Sequence, residues 1–372
     1  MQKHHISACA LLAVVVLVVF LIRPIYGEMH ADDYIKKGPG VTEIKMLSDY
    51  FPDLKTTPGD SPVYILDSGK PGATVYIAGG THPNEPSGIL AAVLLIENAV
   101  PEQGRLIVVP HANASAITHT DYMEGTPQKF ILETPTGKRS FRYGSRATSP
   151  THQWPDPDVY VHASSGQQLS GSEVRNLNRA HPGKPDGNLT ERIAYAMTRM
   201  IRAENIDMSI DLHEASPEYP VINAIVAHDR AMGIAAVAAM NLQMEGVEIG
   251  IEPSPTNLRG LSHREWGDHT ETLALLMETA NPAQGRIRGV TNEALIVQGK
   301  DKMYERVAPL GKLFVPFDAN GHPLSERVAR HVTALHALIQ AYSDERPDKP
   351  LILGGVPDYE SIKEDLGKYL EP

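Results

Sequence analysis

An α/β fold, in a single doubly wound domain over residues 43–345, is what this sequence predicts, and two observations predict it. Short runs rich in Val, Ile and Leu alternate with longer segments of helical periodicity. The short runs are continuously apolar rather than alternating, as strands buried on both faces of a sheet are. Composition agrees: of 372 residues, 42% are hydrophobic and 21% charged, enough to bury a substantial core.

The elements follow in order. "ISACALLAVVVLVVFLI", residues 6–22, carries no charge and no polar stripe; Lys3 precedes it and Arg23-Pro24 follows. Residues 1–27 therefore read as an export signal cleaved near Gly27 or Ala31, or as a membrane anchor retained through residues 6–22. Either way the rest of the chain is expected outside the cytoplasm, in contact with a membrane only through this segment. A polar linker covers 28–42. "TVYIA" (74–78), "RLIVVP" (105–110), "MSIDL" (208–212), "VINAIVA" (221–227) and "LALLME" (273–278) are the strands. "SGILAAVLLIENA" (87–99), "NLTERIAYAMTRMIR" (188–202) and "LSERVARHVTALHALIQAY" (324–342) are helices, the second opened by Asn188 and Glu191 at capping-box spacing. Residues 119–172 are a long polar insertion loop, of a length that usually serves function. Residues 346–372 form a charged, Pro-rich tail.

Charge and cysteine content narrow the chemistry. A formal net charge of −11 argues against a nucleic-acid partner, because phosphate contacts need a basic face. Cys9 is the only cysteine and lies in the N-terminal segment, so thiol catalysis, disulfides and Cys-based metal sites are excluded from the domain. A metal site must use His, Asp and Glu. No G-x-S-x-G elbow supports a serine hydrolase.

Four short stretches carry the chemistry. In "GGTHPNEPSG", His82 and Glu85 sit where a strand leaves the sheet, the edge at which open α/β sheets build ligand sites. Pro86 suits the first helical turn and holds Glu85 out of helical geometry. Alone, H-x-x-E is equally a polar turn. "DMSIDLHEASPEYP" sets His213 just past a second strand, completing the His₂Glu set of a catalytic zinc site, with Asp211 two residues upstream as a partner for its ring. Glu278 ends the apolar "LALLME", where a carboxylate is costly unless paired or working. Beside zinc it would move a proton; otherwise it caps or makes a salt bridge. "EVRNLNRAHPG" gathers Arg175, Asn178 and Arg179, suited to an anionic substrate group or to an ordinary charged loop. His263, Glu265 and His269 would suggest a second metal, but they match no ligand spacing, and solvated histidines are common in polar loops.

Taken together, H-x-x-E after Gly-Gly-Thr, then L-N-R with P-G and "GNLTER", D-L-H and E-T-A-N-P resemble the zinc carboxypeptidase superfamily, nearest its succinylglutamate desuccinylase/aspartoacylase-like branch, over residues 72–285. The resemblance implies an α/β/α domain with a mixed, mostly parallel sheet. It implies one Zn²⁺ per chain held by His82, Glu85 and His213, Glu278 as general acid/base, and Asn178 and Arg179 on the substrate carboxylate. It also implies an arginine that polarises the scissile carbonyl. Arg175 is carried forward for that role, with Arg146 and Arg142 as alternatives that spacing does not separate. The catalytic tyrosine of digestive carboxypeptidases has no clear match; Tyr219 is near His213, but nothing singles it out. The expected activity is hydrolysis of an amide bond beside a carboxylate, on a peptide C-terminus or an N-acyl amino acid. The competing reading is a non-catalytic binding protein that keeps the fold.

Overall fold

The computed structural model describes residues 2–122 and 124–370; Met1, Met123 and residues 371–372 lie outside the described residues. Two units are distinct, Met1–Tyr34 and Ile35–Pro372. The first is a helix, Gln2–His30, whose stretch Lys3–Gly27 is long and apolar enough to cross a membrane.

In the second unit, eight strands form one mixed sheet: β1 (Val41–Met46), β2 (Pro62–Asp67), β3 (Thr74–Ala78), β4 (Arg105–Val109), β5 (Met208–Ala215), β6 (Ala224–Ala227), β7 (Gly250–Pro253) and β8 (Leu273–Ala280). Across the sheet they run β1-β2-β4-β3-β5-β8-β6-β7. The four central strands β4, β3, β5 and β8 are mutually parallel. The principal helices are α1 (Pro86–Asn98), α2 (Leu189–Ala203), α3 (Met232–Met244), α4 (Ser262–His269) and α5 (Leu324–Glu345).

Strand alternation sorts the core into two layers. Val75, Ile77, Leu106, Val108, Ile210 and Leu212 pack with α1, α3 and α5. Tyr76, Ala78, Ile107 and Val109 pack on the other face with α2 and Trp266 of α4. Helix α1 is apolar all round because it is enclosed between the sheet and α5, with every residue from Pro86 to Glu97 buried. The capping box of α2 forms as its sequence predicts: Glu191 N–H donates to Asn188 Oδ1 and Asn188 N–H to Glu191 Oε2, each at 3.0 Å.

The structure extends the sequence reading at the edges. β1 and β7 carry no continuous apolar run; β1, an edge strand, is largely exposed, and β7 has only four residues, whereas β2 has a buried apolar run, Val63 to Leu66, that the sequence reading does not include. Segment 119–172 contains two hairpins, Lys129–Thr134 with Gly137–Arg142 and Val159–Val161 with Gln168–Ser170. The segment read as a tail packs into the core through Leu351, Ile362, Leu366 and Leu370.

Candidate metal centre

At the exit edge the neighbouring strands are unequal in length, and this builds the site. β3 stops at Ala78, opposite Asp211, while β5 and β8 continue together to Ala215 and Ala280. His213 and Glu278 are register partners on that extension, so their side chains lie side by side on one face. Both therefore sit within strands, not at or past their ends as the sequence suggests. Alternation sends Glu214 to the opposite face, where it pairs with Arg327 of α5 at 2.6 Å.

The turn after β3 delivers the other two residues. Gly80 has φ +67°, which a side chain disfavours. Gly88 lets α1 start against β5, since a Cβ there would lie 2.6 Å from the Leu212 carbonyl oxygen. Glu85 precedes the helix with φ −114° and ψ 73°, the non-helical geometry imposed by Pro86. The turn is closed by Glu85 N–H donating to the His82 carbonyl at 2.9 Å.

His82, Glu85 and His213 converge in a cluster that could hold a metal ion: one ligand atom from each lies within 4.8 Å of the others, and all three residues are buried. His82 Nδ1 is 2.9 Å from Glu85 Oε1, and His213 Nδ1 is 3.0 Å from Oε2. His82 Nε2 donates to Asn176 Oδ1 at 2.8 Å. His213 Nε2 lies 2.9 Å from Asp211 Oδ2, close enough for an ion pair though not aligned as a hydrogen bond. Asp211 is itself fixed by Thr81 Oγ1 at 2.8 Å. With His82 Nε2 on Asn176 and His213 Nε2 beside Asp211, both Nδ1 atoms and a carboxylate face one another. Such a donor set calls for a cation, and two imidazoles with one carboxylate suit zinc.

The three residues also act strongly on one another's charge. Burial would raise Glu85, but His82 and His213 hold it well below the usual carboxylate range. Burial would lower His213, but Asp211 and Glu85 hold it well above an ordinary histidine. His82 is lowered to about 4 by burial and by Arg146. Beside the cluster, Glu278 Oε2 is shut off from solvent and has no hydrogen-bond partner among the described residues. Desolvation pushes its pKa up to about 8, with Glu85 adding to the rise and His213 opposing it.

Of the arginines, the structure brings Arg146 to the cluster: Nη1 is 3.2 Å from Glu85 Oε1 and 3.3 Å from His82 Nδ1, and the side chain is 43% exposed. Arg175, the choice from sequence, is committed elsewhere. Its guanidinium is bidentate to Asp156 at 2.7 and 2.9 Å and donates to the Thr148 carbonyl at 3.1 Å. The short helical turn Gly171–Arg175 directs it there. Arg142 is buried in the first hairpin. Asn178 and Arg179 share the turn Leu177–Arg179; Asn178 Oδ1 accepts from Ser262 N–H at 2.8 Å and Arg179 Nη1 donates to the Asn178 carbonyl at 2.7 Å. Burial and the nearby Arg146 lower the Arg179 pKa, and Glu278 and Tyr219 are also near enough to act on it. Glu265 is taken up by Arg259 at 2.7 and 2.8 Å.

Sequence reasoning missed Asn176 and Asp121. Asn176 Oδ1 receives both His82 Nε2–H and Asn178 N–H (3.0 Å). Asp121 accepts from Asn84 Nδ2 at 3.0 Å and from Ser145 Oγ, tying the Arg146 segment to the His82–Glu85 turn. Asn176, within the motif already singled out, was findable as a polar neighbour of L-N-R; Asp121 has no local signal.

Comparison with known proteins adds the following. No family model matches the chain. N-alpha-acetyl-L-2,4-diaminobutyric acid deacetylase of Halomonas elongata is 29% identical over 169 residues, covering 45% of this chain and 35% of that protein. A succinylglutamate desuccinylase from Silicibacter sp. TM1040 aligns with TM-score 0.38 and 18% identity over 61% of this chain and 55% of that one. A metallo-carboxypeptidase from Burkholderia cenocepacia aligns with TM-score 0.47 and 12% identity over 84% of this chain and 67% of that one. The chain is thus similar to a deacetylase, a succinylglutamate desuccinylase and a metallo-carboxypeptidase. It spans only about a third of the deacetylase and about half of the desuccinylase. The mixed sheet with a parallel centre is the architecture expected from the sequence motifs.

Proposed function

We propose that this chain is a zinc-dependent hydrolase of an amide bond adjacent to a carboxylate, of the deacylase type, exported or anchored by its N-terminal helix. The observation that carries the reading is the pairing of His213 with Glu278 in register beside His82 and Glu85. Zinc held by His82, Glu85 and His213 would supply Lewis acidity and a lowered water pKa. Glu278 takes the proton from the attacking water and passes it to the leaving nitrogen, and its Oε2 has no competing hydrogen bond among the described residues. Arg146 replaces Arg175 as the group that stabilises negative charge on the carbonyl oxygen. Arg179 and Asn178 hold the substrate carboxylate and so orient the scissile bond. The curated relative is named for deacetylation of an acylated amino acid, which favours this substrate type over peptides.

The test is Glu278→Gln. Zinc content should be unchanged while turnover of N-acyl amino acids falls roughly 10²–10⁴-fold. Full activity in that variant removes Glu278 from the mechanism, and absence of turnover in the zinc-loaded wild type leaves the binding-protein reading.

A further inference from the structure

Arg146 lies outside any helix or strand, just past the hairpin that ends at Arg142. Among the described residues its side chain bonds only to His82 and Glu85, the groups assigned to the metal. Its aim therefore depends on the backbone beneath it. Gly144 N–H donates to the Pro83 carbonyl at 3.1 Å, and Ser145 N–H to the Ala116 carbonyl at 3.0 Å. Gly144 packs so closely that a Cβ there would lie 2.4 Å from Pro83 Cβ. Two side chains complete a brace. Asp121 Oδ1 accepts from Ser145 Oγ and, at 3.4 Å, from Arg146 N–H, while Oδ2 accepts from Asn84 Nδ2 at 3.0 Å. Asn84 is pinned from its other side as well. Gln284, just past β8, donates to the Asn84 carbonyl and accepts from Asn84 Nδ2 at 3.4 Å. Because Asn84 stands between His82 and Glu85, one carboxylate joins the turn of the metal centre to the arginine.

We propose that Asp121 is a positioning residue: through Asn84 and Ser145 it sets where the Arg146 guanidinium stands against the metal centre, and so how well Arg146 meets the charge that develops on the carbonyl oxygen. This inference rests on the hydrolase reading above. A carboxylate suits the place because the three groups bonded to it, a hydroxyl, a backbone N–H and an amide N–H, all donate. An asparagine would turn an N–H toward one of those donors and open the brace on that side. The loss falls on turnover more than on binding. An oxyanion exists only on the way to product, and a misplacement of about 1 Å costs on the order of 10²-fold in rate. Segment 119–172 thereby has a task at the site: it supplies both Asp121 and Arg146, with the first hairpin between them.

The experiment is a double-mutant cycle on the zinc-loaded full chain with N-acyl amino acids as substrates. Asp121→Asn should lower kcat roughly 10–10²-fold, with KM within about threefold of wild type and zinc content unchanged. In the Arg146→Met background the same substitution should change kcat by less than about twofold, because the group it aims is gone. A kcat loss of equal size in both backgrounds overturns the assignment, and so does a loss confined to KM or to zinc content. Ser145→Ala removes one arm of the brace and should show the same pattern at smaller size. It carries the test if Asp121→Asn does not fold, and an unchanged kcat there overturns the brace. If no substrate is hydrolysed, the hydrolase reading fails separately, and amide hydrogen exchange decides whether Asp121 holds Arg146. Faster exchange over residues 144–147 in Asp121→Asn than in wild type upholds it, and equal rates overturn it.

Discussion

Removing Arg327 tests how the strand extension that carries His213 is held. Glu214, the next residue on β5, has a fully covered side chain, and its Oε1 accepts from Arg327 Nη1 at 2.6 Å. Oε2 has two further donors, Ser87 N–H at 3.2 Å and Asn281 Nδ2 at 3.1 Å. In Arg327→Met these neutral donors alone face a buried carboxylate, and the Ile296 carbonyl loses its guanidinium donor. Breaking a buried pair from one side costs about 3–5 kcal/mol. A unit of about 340 residues has an unfolding entropy near 0.7 kcal/mol/K, so the melting temperature should fall by about 4–7 °C at pH 7. The pH dependence has a definite sign. Burial already raises the Glu214 pKa, and losing Arg327 raises it further. A carboxyl raised in the folded state loses stability as pH climbs above its unfolded value near 4.5, so the deficit should shrink toward pH 5 and widen toward pH 8. Scanning calorimetry of wild type, Arg327→Met and Arg327→Met/Glu214→Gln measures it, with the double variant recovering most of the loss. A deficit below about 1 kcal/mol, or one independent of pH, refutes the reasoning.

Two further outcomes follow from the same geometry. Arg146→Met should lower kcat roughly 10²–10³-fold at unchanged zinc content, whereas Arg175→Met should act on thermal stability through the lost Asp156 pair; steady-state kinetics beside melting curves separates the two. Glu204 accepts from Tyr50 Oη at 2.6 Å, Arg105 Nη2 at 2.7 Å and Lys45 Nζ at 3.0 Å. Against the opposing effect of burial, these donors hold its pKa at about 2. Its contribution is complete above about pH 4.5 and is lost as pH falls toward 2, so Glu204→Gln should flatten the acid limb of urea midpoints between pH 6 and 3. Parallel limbs would contradict it.

What the sequence makes legible is what short range encodes. β3, β4, β5 and β8 are buried on both faces and so are written as apolar runs. The convergence of His82, Glu85 and His213 follows from their place at the exit edge of two adjacent parallel strands. The arginine at the cluster is another matter. Arg175 stands at convenient spacing, but a short turn swings it to Asp156; Arg146 arrives through Asp121, whose bonds to Asn84 and Ser145 leave no periodic trace. Strand length was misjudged for a related reason. The polar ends of β5 and β8 are held by their mutual ladder rather than by apolar character, so pattern alone stops them at Leu212 and Glu278. Likewise the residues beyond 345 have the composition of a tail, and only long-range packing of Leu351, Ile362 and Leu366 against the core places them in the domain.

The central claim is that His82, Glu85 and His213 hold one zinc. Elemental analysis of protein purified and reconstituted with zinc should give about one ion per chain, and His82→Ala and His213→Ala should each lose it while remaining folded by circular dichroism. Wild type that takes up no zinc, or folded variants that keep it, would contradict the account.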